Sequence, residues 1–200
     1  MRHTILVATL IAVAPPAFAA PRVGVSAPAF TARDSNGKPV SLSQFRGKTV
    51  VLEWHNPGCP FVKKHYDGAN MQRTQAAAAS QGIVWLTVNS GAPGKQGHID
   101  AAAANALVKS AKAQPASYIL DPAGAVGRIY SASTTPEMFV IDPRGTLVYK
   151  GGTDDKPTAN PADIPGARNH VLAALADIKA GKKVSVAETR SYGCSVKYAG

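Results

Sequence analysis

Two runs of strand formers, Thr49-Val50-Val51-Leu52-Glu53-Trp54 and Ile83-Val84-Trp85-Leu86-Thr87-Val88-Asn89, bracket a stretch of helix formers, and this order constrains the fold more than any other feature. The second run is apolar and rich in β-formers, as expected of a buried parallel strand. Between the first run and the helix lies the turn His55-Asn56-Pro57-Gly58, followed by Cys59-Pro60. Pro60 suits the first helical position because it lacks the N–H that would be orphaned there, which makes Cys59 the N-cap. Its sulfur then faces the free amides of Phe61 and Val62. Those amides and the positive end of the helix dipole favour a thiolate, the form that attacks disulfides and peroxides. Cys59 is one of only two cysteines among the 200 residues, the other being Cys194.

The remaining pattern predicts an α/β domain with a mixed central sheet, helices on both faces and an N-terminal β-hairpin. The hairpin comprises residues 23–33 and 38–42 around Asp34-Ser35-Asn36-Gly37, an Asn-Gly turn signal. A short helical turn follows at Ser43-Gln44-Phe45. One helix is predicted from Cys59 towards Ser80, and an alanine-rich one over residues 98–112 after a Pro/Gly-rich loop. Tyr118-Ile119-Leu120-Asp121 reads as a strand and residues 124–130 as a short helix. Met138-Phe139-Val140-Ile141-Asp142 and Thr146-Leu147-Val148-Tyr149-Lys150 read as a strand pair about Pro143-Arg144-Gly145. The last helix, over residues 167–180, carries Val171, Leu172, Leu175 and Ile178 on one face and ends at Gly181. The tail beyond it lacks periodicity and carries Cys194.

Residues 1–19 have the form of a secretory signal: Arg2 and His3, an apolar run too short to span a bilayer, then Ala17-Phe18-Ala19 as a small-x-small cleavage site. The expected organisation is a signal over 1–19, a single domain over 20–183 and a tail over 184–200, with a periplasmic location. No later run is long and apolar enough for an integral membrane segment. The formal charge of +10 is spread along the chain, with no basic run longer than Lys63-Lys64 or Lys182-Lys183 and no interleaved aromatics. That distribution argues against a nucleic-acid partner. Neither Gly-x-Gly-x-x-Gly nor a phosphate loop is present, so no organic cofactor is expected.

Several segments together resemble the thioredoxin and peroxiredoxin (redoxin) superfamily over about residues 22–180: Gly24-Val25-Ser26-Ala27-Pro28-Ala29-Phe30, Val40-Ser41-Leu42-Ser43-Gln44-Phe45-Arg46-Gly47-Lys48, the strand before Cys59, and Thr134-Thr135-Pro136-Glu137-Met138-Phe139-Val140-Ile141-Asp142. Within it the chain is most similar to a peroxiredoxin-like group with Cys-Pro-Phe/Tyr-Val-Lys at the active turn, here Cys59-Pro60-Phe61-Val62-Lys63, and a Gly-Cys-Ser-x-Lys-aromatic ending, here Gly193-Cys194-Ser195-Val196-Lys197-Tyr198. The resemblance implies a thioredoxin-like fold, a cis Thr135-Pro136 bond facing the reactive cysteine, and Asn56, Pro60, Phe61 and Thr135 lining the substrate site. The chain also departs from the pattern. Val62 stands where a thioredoxin has its second cysteine. Leu52, Asn56 and Pro136 replace the proline, threonine and arginine that activate peroxide in peroxiredoxins, and Asn56 stands where group members carry a cysteine.

Cys59 is the expected nucleophile, and Cys194 the only candidate within the chain for a resolving thiol. Partners would be a thiol reductant, thioredoxin-like or small, and a disulfide or peroxide substrate. A permanent Cys59–Cys194 bridge in a redox-inactive module is the bland counterpart, worth roughly 5 kcal/mol for so long a loop. Glu53 lies at the register of the buried acid of thioredoxins. If buried it can take a proton from a cysteine; otherwise it faces solvent or pairs with Lys48 or His55. Asn56 can hydrogen-bond the sulfur, and Lys63 can favour the thiolate or remain solvated. Cys59, Cys194, His55 and His65 would suit Cu(I), the competing metallochaperone reading.

Overall fold

The computed structural model describes residues 20–200, so the signal expected over 1–19 lies outside the described residues. Nine strands are described: β1 (Thr31–Asp34), β2 (Pro39–Ser41), β3 (Val50–Trp54), β4 (Val84–Asn89), β5 (Ser117–Leu120), β6 (Thr134–Thr135), β7 (Glu137–Ile141), β8 (Leu147–Gly151) and β9 (Cys194–Ser195). The helices are α1 (Pro60–Asp67), α2 (Asn70–Ala79), α3 (Ala101–Ser110), α4 (Ala125–Ile129) and α5 (His170–Lys179). Seven strands form one mixed sheet in the order β2-β1-β5-β4-β3-β7-β8, and β6 pairs with β9 separately. β3 and β5 run parallel to β4, whereas β7 runs antiparallel to β3. This is a thioredoxin-like fold.

β3 is central, and its alternation divides the core. Val50, Leu52 and Trp54 join one cluster with Leu86, Val88, Ile119, Tyr130 and Phe139. Val51 faces the other side with Trp85, Met138, Val140, Tyr149, Val171 and Leu175, so both faces are covered. Glu53 shares the Val51 face, because successive strand residues alternate. The strand register sets it beside Thr87 on β4 and Met138 on β7.

The structure corrects two expectations about element boundaries. The helix predicted from Cys59 to Ser80 is two helices, broken at Gly68-Ala69, with Ala69 at φ 53°. Gly68 packs so closely on Ile164 that a Cβ there would overlap it, and the chain turns at this residue of low helix propensity. The first strand is confined to Thr31–Asp34. Gly24 and Val25 instead bond to Leu147, covering the outer edge of β8. The aperiodic tail is docked: Thr189 bonds to Lys150, Val196 to Ser133, and Lys197 receives the Ala92 amide. No helix among the described residues is long and apolar enough to cross a membrane.

Leu86 is fully buried at the centre of β4. Leu86→Ala removes its methyl contacts and leaves a cavity, which costs about 2–5 kcal/mol. A lowered urea midpoint at unchanged m-value is the expected result.

Candidate functional site

The site forms where β3 ends. The His55 amide bonds to the Val88 carbonyl, carrying the β3–β4 ladder one residue beyond the strand, and the chain then turns into α1. Asn56 builds that turn: its carbonyl accepts from the Cys59 amide at 3.0 Å, and its side-chain oxygen accepts from the Gly58 amide at 2.8 Å. Its side-chain amide donates to Gln96 at 2.9 Å. Asn56 therefore shapes the turn instead of bonding the sulfur, an outcome that follows from the local Asx geometry. Pro60 occupies the first helical position and Cys59 the N-cap, with extended φ and ψ of −81° and 124°.

Cys59 is completely buried. Its thiol makes no regular cap hydrogen bond to α1; it donates instead to the Thr135 carbonyl at 3.0 Å. The Thr135-Pro136 bond is cis, as the resemblance implies. Beyond the proline, the buried Glu137 carboxylate accepts from the Ser133 and Thr134 amides at 2.7 and 3.1 Å and so holds the loop that presents Thr135. β9 lies antiparallel to β6, with Cys194 opposite Thr135, and the Thr135 hydroxyl donates to the Cys194 carbonyl at 3.4 Å. Gly193 precedes it at φ 134°, where a Cβ would overlap the Thr135 carbonyl, so this approach of the tail requires glycine. The structure thus brings together two cysteines 135 positions apart in sequence, both as free thiols.

The two thiols are pushed in opposite directions. Burial alone would raise Cys59. The polar groups around the sulfur, the Cys194 thiol and amide, the Thr135 side chain and the Val62 amide, outweigh burial and hold Cys59 below the ordinary thiol range. Of the two helix amides expected to face the sulfur, the Val62 amide contributes. Burial, the hydrogen bond to Cys59 and the negative charge of that neighbour push Cys194 up to about 11, against the pull of Lys197. Cys194 remains partly exposed while Cys59 has no solvent contact. Pro60 is exposed beside the pair; Phe61 is half-buried, with its ring edge-on to Tyr192 at 5.9 Å.

Glu53 neither faces solvent nor pairs with Lys48 or His55. Tyr66 donates to one of its oxygens at 2.8 Å; Trp85, Thr87 and Gln75 donate to the other at 2.9, 3.2 and 3.4 Å. None of these bonds reaches Cys59. Complete burial outweighs the donors and raises the carboxyl to about 7. The four residues considered for copper do not assemble. His55 bonds to Tyr118 at 2.8 Å, and His65 is held by Asn70 at 2.8 Å and by Tyr192. No group of three or more His, Cys, Asp or Glu side chains converges among the described residues.

Sequence reasoning singled out Lys63, which is exposed, and passed over Lys64, which is buried in an ion pair with Asp154 at 3.2 Å. Tyr192 was missed as well. Lys64 stands between the buried Val62 and His65 on α1, and the phase of that buried stripe was the available signal.

A family model for AhpC/TSA matches residues 23–150. The chain belongs to the AhpC/TSA family. This AhpC/TSA protein superposes on a hypothetical protein from Sinorhizobium meliloti 1021 with a TM-score of 0.73 at 24% identity, over 90% of this chain and 97% of that one. An uncharacterized conserved protein from Geobacillus kaustophilus gives 0.75 at 22% identity, over 89% and 93%. A secreted disulfide oxidoreductase from Mycobacterium tuberculosis, homologous to E. coli DsbE, gives 0.52 at 20% identity, over 68% and 92%. These likenesses show the shared fold. No curated protein matches the sequence.

The Glu53 carboxyl has a testable signature. Folded it titrates at about 7, against an ordinary value of 4.5, so between these values the native state keeps a proton that the unfolded chain has lost. Stability contributed below the lower value is lost as pH rises through the higher one, by roughly 3 kcal/mol in all. Glu53→Gln removes this slope. His55 and His65, pushed down by burial to about 3 and about 4, act with the opposite sign, losing stability as pH falls below 6.5. The measurement is therefore the wild-type minus variant difference in urea stability from pH 4 to 8.

Proposed function

We propose that this AhpC/TSA protein is an exported thiol-disulfide oxidoreductase with Cys59 as nucleophile and Cys194 as resolving thiol. The observation that carries this reading is the pairing of Cys194 with Thr135, whose carbonyl receives the Cys59 thiol. In the first step, with the tail undocked so that Cys59 is uncovered, the Cys59 thiolate attacks one sulfur of a substrate disulfide. A Cys59–substrate disulfide forms, the substrate S–S bond breaks, and the other half leaves as thiolate. Capping Cys59 removes its charge, and with it two of the causes that raise Cys194. Cys194 then loses its proton to solvent and attacks the Cys59 sulfur, releasing the second substrate half as thiolate. The substrate has gained two electrons and the protein holds a Cys59–Cys194 disulfide. An external dithiol, or two small thiols, returns the two electrons.

A disulfide suits the site better than a peroxide. The positions that would activate peroxide are committed elsewhere: Leu52 to the core, the Asn56 side chain to Gly58 and Gln96, and Pro136 to the cis turn. Thr135, Pro60 and Phe61 would form the substrate wall. Glu53 would act as a proton store near neutral pH, with its carboxyl held in place by the Tyr66 and Trp85 side chains. The leader-like residues 1–19 support export, and the secreted Mycobacterium tuberculosis oxidoreductase on this fold is consistent with that setting.

Cys59→Ser should abolish dithiothreitol-driven reduction of a peptide disulfide, and unchanged turnover would overturn the assignment. Cys194→Ser should leave the substrate trapped on Cys59 as a mixed disulfide visible by intact mass. For a cycling pair, the midpoint of the bridge should lie above about −300 mV; a far lower value would favour a structural staple.

A further inference from the structure

We propose that Tyr192 is the positioning residue that holds Cys194 over Cys59, through a polar socket built on the reactive helix itself. This inference rests on the resolving role of Cys194 proposed above. Tyr192 stands two residues before Cys194, and its socket consists of Phe61, Lys64 and His65 on α1 together with Asp154. The ring lies edge-on to Phe61 at 5.9 Å and beneath the Lys64 ammonium, 5.7 Å from the ring centroid. The hydroxyl donates to Asp154, whose other oxygen pairs with Lys64 at 3.2 Å.

The hydrogen bonds form a directed chain. Asn70 donates to His65 Nδ1 at 2.8 Å, which leaves the proton of the neutral ring on Nε2 to be donated to the Tyr192 hydroxyl at 3.3 Å. Burial keeps His65 neutral above about pH 4, consistent with this arrangement. Lys64 also donates to the Lys156 carbonyl at 2.6 Å, so the 154–156 loop holds the cation through contacts that do not involve the tail. The socket is thus preorganised, and the tyrosine is its removable part.

The consequence for chemistry is geometric. α1 carries Cys59 at its N-cap and the Tyr192 socket on its next turn, so nucleophile and tail anchor share one rigid element. From Tyr192 the chain passes through Gly193 to Cys194 and the β9–β6 pairing. Tyr198 pins the far side, with its hydroxyl on the Ala132 carbonyl at 2.7 Å and Arg128 4.9 Å from its ring centroid. The resolving thiol is therefore strung between two tyrosines, and only Tyr192 touches the reactive helix.

Loosening this anchor must show in one of two readouts. The tail exchanges between docked and undocked; the Cys59–Cys194 bridge forms only from the docked form, and reagent reaches the buried Cys59 only in the undocked form. Where docking is weak, a further loss lowers the bridge equilibrium in proportion. Where docking is strong, the same loss multiplies the alkylation rate of Cys59.

The experiment is a glutathione titration of the bridge in wild type, Tyr192→Phe and Tyr192→Ala, paired with iodoacetamide labelling of the reduced proteins and mapping of Cys59 by mass. Tyr192→Phe keeps the ring and removes the hydroxyl bond to a carboxylate. It should shift one readout about tenfold, with a larger shift in Tyr192→Ala. A tenfold change in the bridge equilibrium is about 30 mV. Both readouts unchanged, with or without a lower thermal midpoint, would overturn the assignment, since a merely structural tyrosine moves the midpoint alone. A wild type that forms no bridge at any glutathione ratio would instead sink the resolving role of Cys194.

Discussion

A thiol that is to ionise inside a protein needs donors around its sulfur, because burial by itself favours the neutral form. Cys59 has no solvent contact, and the elements around it supply what water would have supplied. β3 delivers the chain to the turn, Asn56 closes that turn, and Pro60 starts α1 so that the Val62 amide approaches the sulfur. The cis Thr135-Pro136 segment brings the Thr135 side chain, and the tail brings a second thiol and its amide. Sheet, helix and tail therefore meet at one atom.

Glu53, six residues earlier in the same strand-turn-helix unit, meets the same physics with the opposite result. Four side chains donate to its carboxylate, yet desolvation wins and the group titrates at about 7. A third solution appears at Lys64, where a buried ammonium is matched by Asp154 and the Lys156 carbonyl. Removing one member of such a pair leaves an uncompensated buried charge, so the region is held together by mutual dependence as much as by apolar packing.

Local features were readable in the residues. The Asn-Gly turn, the apolar run that becomes β4, the β7–β8 pair and the Cys59-Pro60 helix start all rest on interactions within a few positions of sequence. The cis bond before Pro136 was available through resemblance alone. Features that depend on distant partners were not legible. The break at Gly68-Ala69 lies against Ile164, far along the chain, where a side chain at position 68 would collide. The tail shows no periodicity because its partners are irregular: Lys150 for Thr189, Ser133 for Val196, Ala132 for Tyr198. The Asn56 side chain bonds to Gly58 and to Gln96, forty positions on, a partner its local sequence does not announce.

By itself, the sequence determined the order of the main sheet strands and placed one cysteine at a helix N-terminus, because backbone propensity, turn chemistry and the missing N–H of proline act locally. Tertiary structure alone decided that Cys194 lies opposite Thr135, that Glu53 is sealed from water, and that Lys64 rather than Lys63 turns inward. The reason is common to all three. Desolvation and the donors that answer it belong to the assembled surroundings of a group, and those surroundings come from segments far apart in the chain.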